Sequence, residues 1–152
     1  MAAGDVTVFN QHLEDIGRGV HNLETGDISF GLITSATTPA ATTAVPTWGA
    51  GGTTNMSTNE ITTLGGNYAV AGGPSIGGTY SQTTGTATFD VTDVSILQSG
   101  SNPSANARWG IIYDETATNN ECIAYLDLGT DVDLTAGDFT VTWNASGLYT
   151  IS

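Results

Sequence analysis

The chain has 152 residues, enough for one domain with a sizeable apolar core. Charged side chains make up 11% of the sequence, and fifteen carboxylates against two arginines and no lysine give a formal net charge of −13. Nucleic acids and anionic membranes are bound through clustered cations, so we expect neither as a partner. Cys122 is the only cysteine, which excludes an intrachain disulfide, and we expect it to be a small buried residue.

Helical spacing occurs near the N-terminus. The apolar residues that recur at the interval of one helix face are Phe9, Leu13 and Ile16. Gly17 and Gly19 are expected to end the helix. The pattern therefore predicts a short helix or arm over residues 1–25, followed by a β-domain over residues 26–152.

The β-domain begins with a predicted strand over residues 27–34, in which Ile28, Phe30 and Leu32 share one face. Residues 35–59 follow and are rich in Thr, Ala, Gly and Pro. This stretch is too long for an ordinary connection, which predicts a functional loop or an arm that becomes ordered on binding. Trp48 lies within it and is its best candidate for a contact residue.

Alternation of apolar and polar residues dominates the C-terminal half and is clearest over residues 108–114. There Trp109, Ile111 and Tyr113 are expected on one face of a strand and Gly110 and Ile112 on the other. Other elements are predicted at residues 60–64, 86–91, 94–97, 122–128, 132–134, 139–143 and 148–151. About eight short strands separated by turns predict an all-β fold, a single β-sandwich or jelly-roll-like domain.

Residues suited to catalysis are scarce. The only histidines, His12 and His21, lie near the N-terminus outside the strand-rich part, and we expect surface or partly buried polar residues there instead of a general base. No lysine is available for a phosphate-binding loop. We therefore predict no enzyme activity, no catalytic residue and no cofactor.

Metal binding is considered separately because calcium prefers oxygen ligands. One cysteine and two histidines are too few for a recognisable zinc site. Four aspartates lie close together in the chain: Asp127, Asp131, Asp133 and Asp138. No EF-hand loop is present, so solvated turn carboxylates are favoured over a calcium site and no metal is predicted. Arg108, which precedes an apolar strand, is expected to pair with a carboxylate.

Several short segments occur in a fixed order along the chain. They are Val20-His21-Asn22-Leu23, Asp27-Ile28-Ser29-Phe30-Gly31-Leu32-Ile33-Thr34, Gly72-Gly73, Gly85-Thr86-Ala87-Thr88-Phe89-Asp90, Arg108-Trp109-Gly110-Ile111-Ile112-Tyr113-Asp114-Glu115-Thr116, Ile123-Ala124-Tyr125-Leu126-Asp127-Leu128-Gly129 and Phe139-Thr140-Val141-Thr142-Trp143. In this order they resemble segments of small proteins from tailed-bacteriophage structural modules. The family they resemble is the head decoration, or cement, proteins. The resemblance implies a β-sandwich, often a homotrimer, that binds the outer capsid surface and holds neighbouring major capsid protein subunits together. Residues 35–59 depart most from the family pattern.

The expected location is the outer surface of the virion, after synthesis in the host cytoplasm, and the expected partner is the major capsid protein. Candidate contact residues come from the arm, the long loop and the single arginine of the β-domain: Val6, Phe9, Arg18, His21, Trp48 and Arg108. Two alternatives remain. One is a tail, fibre or baseplate component, and the other is a carbohydrate-binding β-sandwich module, which requires exposed aromatic residues in a row.

Overall fold

A computed structural model describes residues 6–68, 72–98, 103–135 and 137–152. These residues form one α-helix, one 3-10 helix and eleven strands, so the predicted all-β class with a short N-terminal helix is confirmed. Part of the glycine-rich stretch that follows residue 64, residues 69–71, lies outside the described residues.

The elements have the following bounds. In chain order they are β1 Val6–Val8, α1 Asn10–Arg18, β2 Ile28–Ile33, β3 Pro46–Thr47, β4 Thr54–Asn55, the 3-10 helix Met56–Asn59, β5 Thr79–Thr83, β6 Thr86–Asp90, β7 Val94–Ile96, β8 Ala107–Asp114, β9 Cys122–Val132, β10 Phe139–Val141 and β11 Tyr149–Ile151. The strand predicted at 122–128 is the first part of β9, which continues to Val132, and residues 133–134 of the strand predicted at 132–134 lie beyond its end. Residues 60–64 contribute only an isolated bridge, from Glu60 to Ile33.

The main sheet has the order β1-β9-β8-β2, with every neighbouring pair antiparallel. The predicted alternation along β8 is confirmed. Its residues Trp109, Ile111 and Tyr113 belong to a smaller apolar cluster on one face, and Ile112 belongs to a larger cluster on the other. Both faces of this sheet are therefore buried, as in the centre of a layered domain.

A β-bulge sets the register between β8 and β9. Ile112 lies opposite Ala124, whereas Tyr113 lies opposite Cys122, so Ile123 is an extra residue on β9. Because of this residue, Ile123 and Ala124 both pack in the larger cluster while Cys122 packs in the smaller one.

Two smaller sheets, β11-β6-β5 and β10-β7, cover the larger cluster. Phe89 of β6, Ile96 of β7 and Val141 of β10 pack in it together with Phe30 of the main sheet. This gives the layered packing expected of a sandwich. The strands predicted at 139–143 and 148–151 are present as β10 and β11, but they join different sheets.

The indole of Trp48 covers the opposite face of the main sheet. It stacks on the ring of Tyr113 with centroids 4.8 Å apart and an interplanar angle of 8°. It also lies directly over Gly31, where an added Cβ would be 2.1 Å from Trp48 Cη2. Only 3% of Trp48 is exposed, and residues 35–59 contain β3, β4 and the 3-10 helix. The expectation that this segment orders only on binding is therefore wrong.

The described N-terminal residues belong to the main sheet and do not form a separate arm. Val6 of β1 lies opposite Leu126 of β9. Helix α1 follows, and Gly19 ends it in the left-handed conformation with φ 68°, as predicted. The predicted apolar helix face is correct for Phe9 and Ile16, which pack against the apolar clusters, and wrong for Leu13, which is 55% exposed. His12 and Asp15 are buried instead.

We predict that Gly31→Ala lowers the free energy of unfolding by about 1–3 kcal/mol, because its new Cβ would displace the Trp48 indole. Urea denaturation measures the change. The matched control is Gly17→Ala in α1, where an added Cβ meets nothing within 4 Å. That substitution should instead stabilise the helix by about 0.5–1 kcal/mol. Equal effects from the two variants would contradict the packing described for Trp48.

Candidate functional site

Four polar side chains meet where α1, β8 and β11 converge, and they form what we term the buried polar cluster. Its members are His12 of α1, His21 from the segment after α1, Asp114 at the end of β8 and Tyr149 at the start of β11. His12 and Asp114 are completely buried, and the side chain of His21 is also inaccessible. The expectation that both histidines lie outside the strand-rich part is therefore wrong.

Successive contacts connect the carboxylate of Asp114 to the hydroxyl of Tyr149. His21 Nδ1 donates to Asp114 Oδ2 at 3.2 Å. The rings of His21 and His12 lie 4.7 Å apart between centroids, and His12 Nε2 is hydrogen-bonded to the Tyr149 hydroxyl at 2.6 Å. The remaining ring nitrogens, His12 Nδ1 and His21 Nε2, have no hydrogen-bond partner among the described residues.

Asp114 is held in place by the turn that follows β8. Its Oδ1 accepts hydrogen bonds from Thr116 N at 2.9 Å, Thr116 Oγ1 at 2.6 Å and Ala117 N at 3.2 Å. Burial by itself would raise the pKa of Asp114, but the hydrogen bonds from His21 and Thr116 outweigh burial and lower it. The cluster therefore contains a buried carboxylate whose oxygens are all occupied.

His12 is neutral in the folded protein. Burial, followed by repulsion from His21, lowers its pKa to about 3, and attraction to Asp114 offsets only part of this change. Burial and the nearby Tyr80 raise the pKa of Tyr149, so its hydroxyl stays protonated. The His12–Tyr149 contact is thus a hydrogen bond between neutral groups.

The Asp114–His21 pair has one feature of a catalytic dyad, since a carboxylate that binds Nδ1 orients the imidazole. A nucleophile does not accompany it, because no hydroxyl or thiol of the described residues is hydrogen-bonded to His21 Nε2. Cys122 packs in the smaller cluster on the other face of the main sheet, and burial together with Glu121 raises the pKa of its thiol. The contacts of the buried polar cluster join α1 to β8 and β11.

A surface cleft of about 460 Å³ lies beside the cluster. Ile16, Leu23 and Tyr80 form apolar parts of its wall, and Asn22 and Glu24 form polar parts. The carbohydrate-binding alternative requires a row of exposed aromatic rings. Among the described residues the exposed large apolar side chains are Leu13, Val45, Leu97 and Ile151, and none is aromatic.

Three of the four aspartates considered for calcium make other contacts. Asp127 forms an ion pair with Arg108, Asp133 accepts from Thr135 N at 2.9 Å, and Asp138 accepts from Gln98 N at 2.8 Å. Within the described ranges no group of three or more His, Cys, Asp or Glu side chains is placed to hold a metal ion. The structure therefore gives the calcium alternative no support.

Three of the six predicted contact residues do not present a side chain at the surface. Phe9 is fully buried, Trp48 is 3% exposed, and the side chain of His21 lies in the buried polar cluster. These predictions fail because each residue is covered by segments distant in sequence. Val6 is half-buried in β1, where it packs against the larger cluster.

The two arginines are the predicted contact residues that remain accessible. Arg18 is exposed and pairs with Glu14 one helical turn earlier. Arg108 pairs with Asp127, and its guanidinium carbon lies 4.4 Å from the centroid of the Trp109 ring. The prediction that Arg108 has a carboxylate partner is confirmed.

Strand β5 was not predicted, and it belongs to the most exposed sheet in the described part of the chain. Tyr80, Phe89 and Tyr149 lie opposite one another across β5, β6 and β11, and Phe89 is buried, so this row faces the core. The alternate residues face outward, and those with hydroxyl groups form what we term the hydroxyl face: Thr79, Ser81, Thr83, Thr86, Thr88 and Thr150. Asp90, opposite Thr79, lies at one end of this face. The Thr-x-Ser-x-Thr spacing before the Thr84-Gly85 turn was the available signal.

No protein-family model matches the chain, and no curated protein or solved structure matches it significantly. The resemblance to phage decoration proteins therefore depends on the order of sequence segments alone. No helix in the described parts of the chain has the length and apolar character needed to span a membrane.

We predict that acid destabilises the protein through His12. Its pKa is about 3 when folded against an ordinary value of 6.5, so the unfolded chain binds one more proton between these pH values. The free energy of unfolding should fall as the pH drops below about 6.5, by up to about 1.4 kcal/mol per pH unit. Urea titrations between about pH 4 and 7 should show a shallower slope for His12→Gln. Identical slopes for the two proteins would refute this role.

We also predict that Asp114→Asn disturbs His21. The amide oxygen can still accept from Thr116 and Ala117, but the NH₂ group would then face His21 Nδ1–H. The expected results are a loss of about 1–3 kcal/mol in the free energy of unfolding and a shift of the His21 proton to Nε2, visible in nitrogen-15 NMR spectra. Asp133→Asn is the matched control, because the exposed Asp133 binds Thr135 as Asp114 binds Thr116. It should leave the free energy of unfolding nearly unchanged, because Asp133 is exposed to solvent.

Proposed function

We propose that this chain is a structural virion protein that decorates the outer surface of a tailed-phage head. It binds the major capsid protein there and stabilises contacts between neighbouring capsid subunits. The observation that carries the proposal is the hydroxyl face, an exposed surface on a regular sheet.

The hydroxyl face differs in charge from the chain as a whole. Its central row consists of Ser81, Thr88 and Thr150 on adjacent strands, and the only charged residue on β5, β6 or β11 is Asp90 at the end of β6. In a chain of net charge −13, a partner that covers the central row buries no carboxylate, because the one carboxylate on this face, that of Asp90, lies at its end opposite Thr79. Hydroxyl groups can also both donate and accept hydrogen bonds across an interface.

The charge distribution suggests the character of the partner surface. Arg18 and Arg108 already form ion pairs within the chain, with Glu14 and Asp127. The remaining carboxylates dominate the long-range field, which favours approach to a surface of positive potential. A capsid protein with a basic rim around an uncharged contact area would satisfy both conditions. On a symmetric lattice, many weak contacts of this kind add up through multivalency.

The segments that resemble decoration proteins supply strands of the layered fold. They include β6, β8 and β10 and most of β9, so the resembling residues form much of the scaffold, and β6 also contributes Thr86 and Thr88 to the hydroxyl face. Residues 35–59, which depart from the family pattern, cover the smaller cluster through Trp48. The segment that differs from the family pattern therefore packs on the face of the main sheet that lies away from the larger cluster.

The first test is binding to heads of the encoding phage prepared without this protein. We expect Ser81→Glu and Thr150→Glu to weaken co-sedimentation by about tenfold or more each, because a carboxylate would be buried at the contact. Thr130→Glu on β9 makes the same chemical change at an exposed position of the main sheet and should bind as the unmodified protein does. Equal binding by all three variants would place the contact elsewhere.

The second test is a cryo-EM reconstruction of the virion. The expected result is density for this chain at repeated positions on the shell, each touching more than one capsid subunit through the hydroxyl face. Density confined to the tail would reassign the chain to the tail, fibre or baseplate class. Absence from the particle would overturn the virion assignment altogether.

A further inference from the structure

Two of the sheet edges in this lysine-free protein, those of β2 and β7, are covered by its own chain. Along β2, Ile61 N donates to Leu32 O at 2.8 Å and Ile76 N donates to Ile28 O at 2.7 Å. Unpaired edges invite pairing with other chains, and proteins commonly guard them with lysine, proline or covering segments. Here two loop segments guard β2.

At the edge of β7, one side chain forms hydrogen bonds with the peptide groups that would otherwise be free. Asn67 Oδ1 accepts from Leu97 N at 2.8 Å, and its Nδ2 donates to Ser95 O at 2.6 Å. A side-chain amide thus replaces the neighbouring strand that β7 lacks on this side.

Strand β5 has no such cover. It pairs with β6 along its whole length, from Thr79 opposite Asp90 to Thr83 opposite Thr86. No hydrogen bond joins its other side to any segment that the structure describes. Tyr80 and the segment after α1 line the same surface cleft.

The hairpin turn determines which peptide groups of β5 are free. Thr84 and Gly85 have φ values of 49° and 88°, as a two-residue hairpin of the primed type demands. In such a hairpin the residues that flank the turn, Thr83 and Thr86, form a hydrogen-bonded pair, and bonding then alternates along the strand. Tyr80 and Gln82 therefore direct their N–H and C=O groups away from β6.

The sequence of β5 favours pairing with another strand. Thr-Tyr-Ser-Gln-Thr contains β-favouring residues and has no charge, proline or glycine. Because the chain carries a net charge of −13, an uncharged edge is a place where two copies can meet without opposing carboxylates. The only charged residue of this sheet, Asp90, lies opposite Thr79 on the neighbouring strand β6 and not on the edge strand itself.

We propose that β5 pairs antiparallel with β5 of a second copy, so that the two three-stranded sheets become one continuous sheet across a two-fold axis. With Ser81 opposite its own counterpart, Tyr80 of each copy lies opposite Gln82 of the other. These are the residues whose peptide groups are free, so the register is self-complementary. It also places the two Asp90 side chains at opposite ends of the new pair of strands.

Electrostatic repulsion opposes this association and makes it depend on salt. Two chains of −13 repel each other at low ionic strength, whereas the screening length shortens from about 10 Å at 0.1 M salt to about 3 Å at 1 M. The dimer should therefore strengthen as salt is added. It goes beyond the proposed function, because it needs no capsid, and its stoichiometry differs from the trimer that the family resemblance implies.

Gln82→Pro tests the pairing with little effect on the fold. Proline removes the outward N–H of residue 82, which makes no hydrogen bond within the chain, and proline is tolerated on edge strands in this orientation. Gln82→Ala is the matched control, since it removes the same side chain and keeps the N–H. Sedimentation velocity at about 100 µM protein in low salt and in about 1 M salt measures the stoichiometry.

We expect the unmodified protein and Gln82→Ala to form dimers whose fraction increases with salt, and Gln82→Pro to remain monomeric with an unchanged melting temperature. A monomeric unmodified protein in high salt, or equal dimerisation of the alanine and proline variants, would overturn the proposal. A trimer that persists in the Gln82→Pro variant would also overturn the proposal.

Amide hydrogen exchange of the unmodified protein provides a test that needs no variant. Ser81 N–H is already bonded to β6 and should exchange slowly at every concentration. The Tyr80 and Gln82 amides should become protected only under the conditions that give dimers. Rapid exchange at both residues in a sample shown to be dimeric would place the interface away from β5.

Discussion

Strand β8 lies between β2 and β9 with apolar side chains packed on both of its faces, and the placement of the other elements follows from covering those faces. The larger cluster is covered by the two small sheets and the smaller one by Trp48. With only two cations in the chain, burial of apolar surface contributes far more to stability than ion pairing can. The long loop is ordered because the smaller cluster would otherwise be exposed to water.

The buried polar cluster gives the N-terminal helix a defined position. A buried carboxylate is tolerated only when its oxygens are satisfied, and His21, Thr116 and Ala117 together satisfy those of Asp114. His12 then joins the helix to Tyr149 on the far side of the cluster. An apolar residue in place of His12 would leave the Tyr149 hydroxyl without this hydrogen bond, which accounts for a helix that buries His12 and exposes Leu13.

Negative charge limits how the molecular surface can make contacts. The covered edges of β2 and β7 and the uncharged strand β5 show two ways in which a protein without lysine can treat its sheet edges. The hydroxyl face and the β5 edge belong to the same small sheet but point in different directions. Binding to a capsid through the face and pairing of copies through the edge are therefore geometrically separate.

The sequence alone was sufficient to predict the all-β class and the faces of β2 and β8, because successive side chains of a strand point to opposite faces of the sheet. It was also sufficient for the end of α1 at Gly19, since a left-handed helix terminus is a local property of glycine. It did not reveal β5, whose polar residues lack a hydrophobic alternation, or the buried polar cluster, whose members are brought together from four separate segments. Trp48 appeared exposed because its sequence neighbours are polar. Only the tertiary structure decided its burial, because the surfaces that cover it, Gly31 and Tyr113, are close in space and distant along the chain.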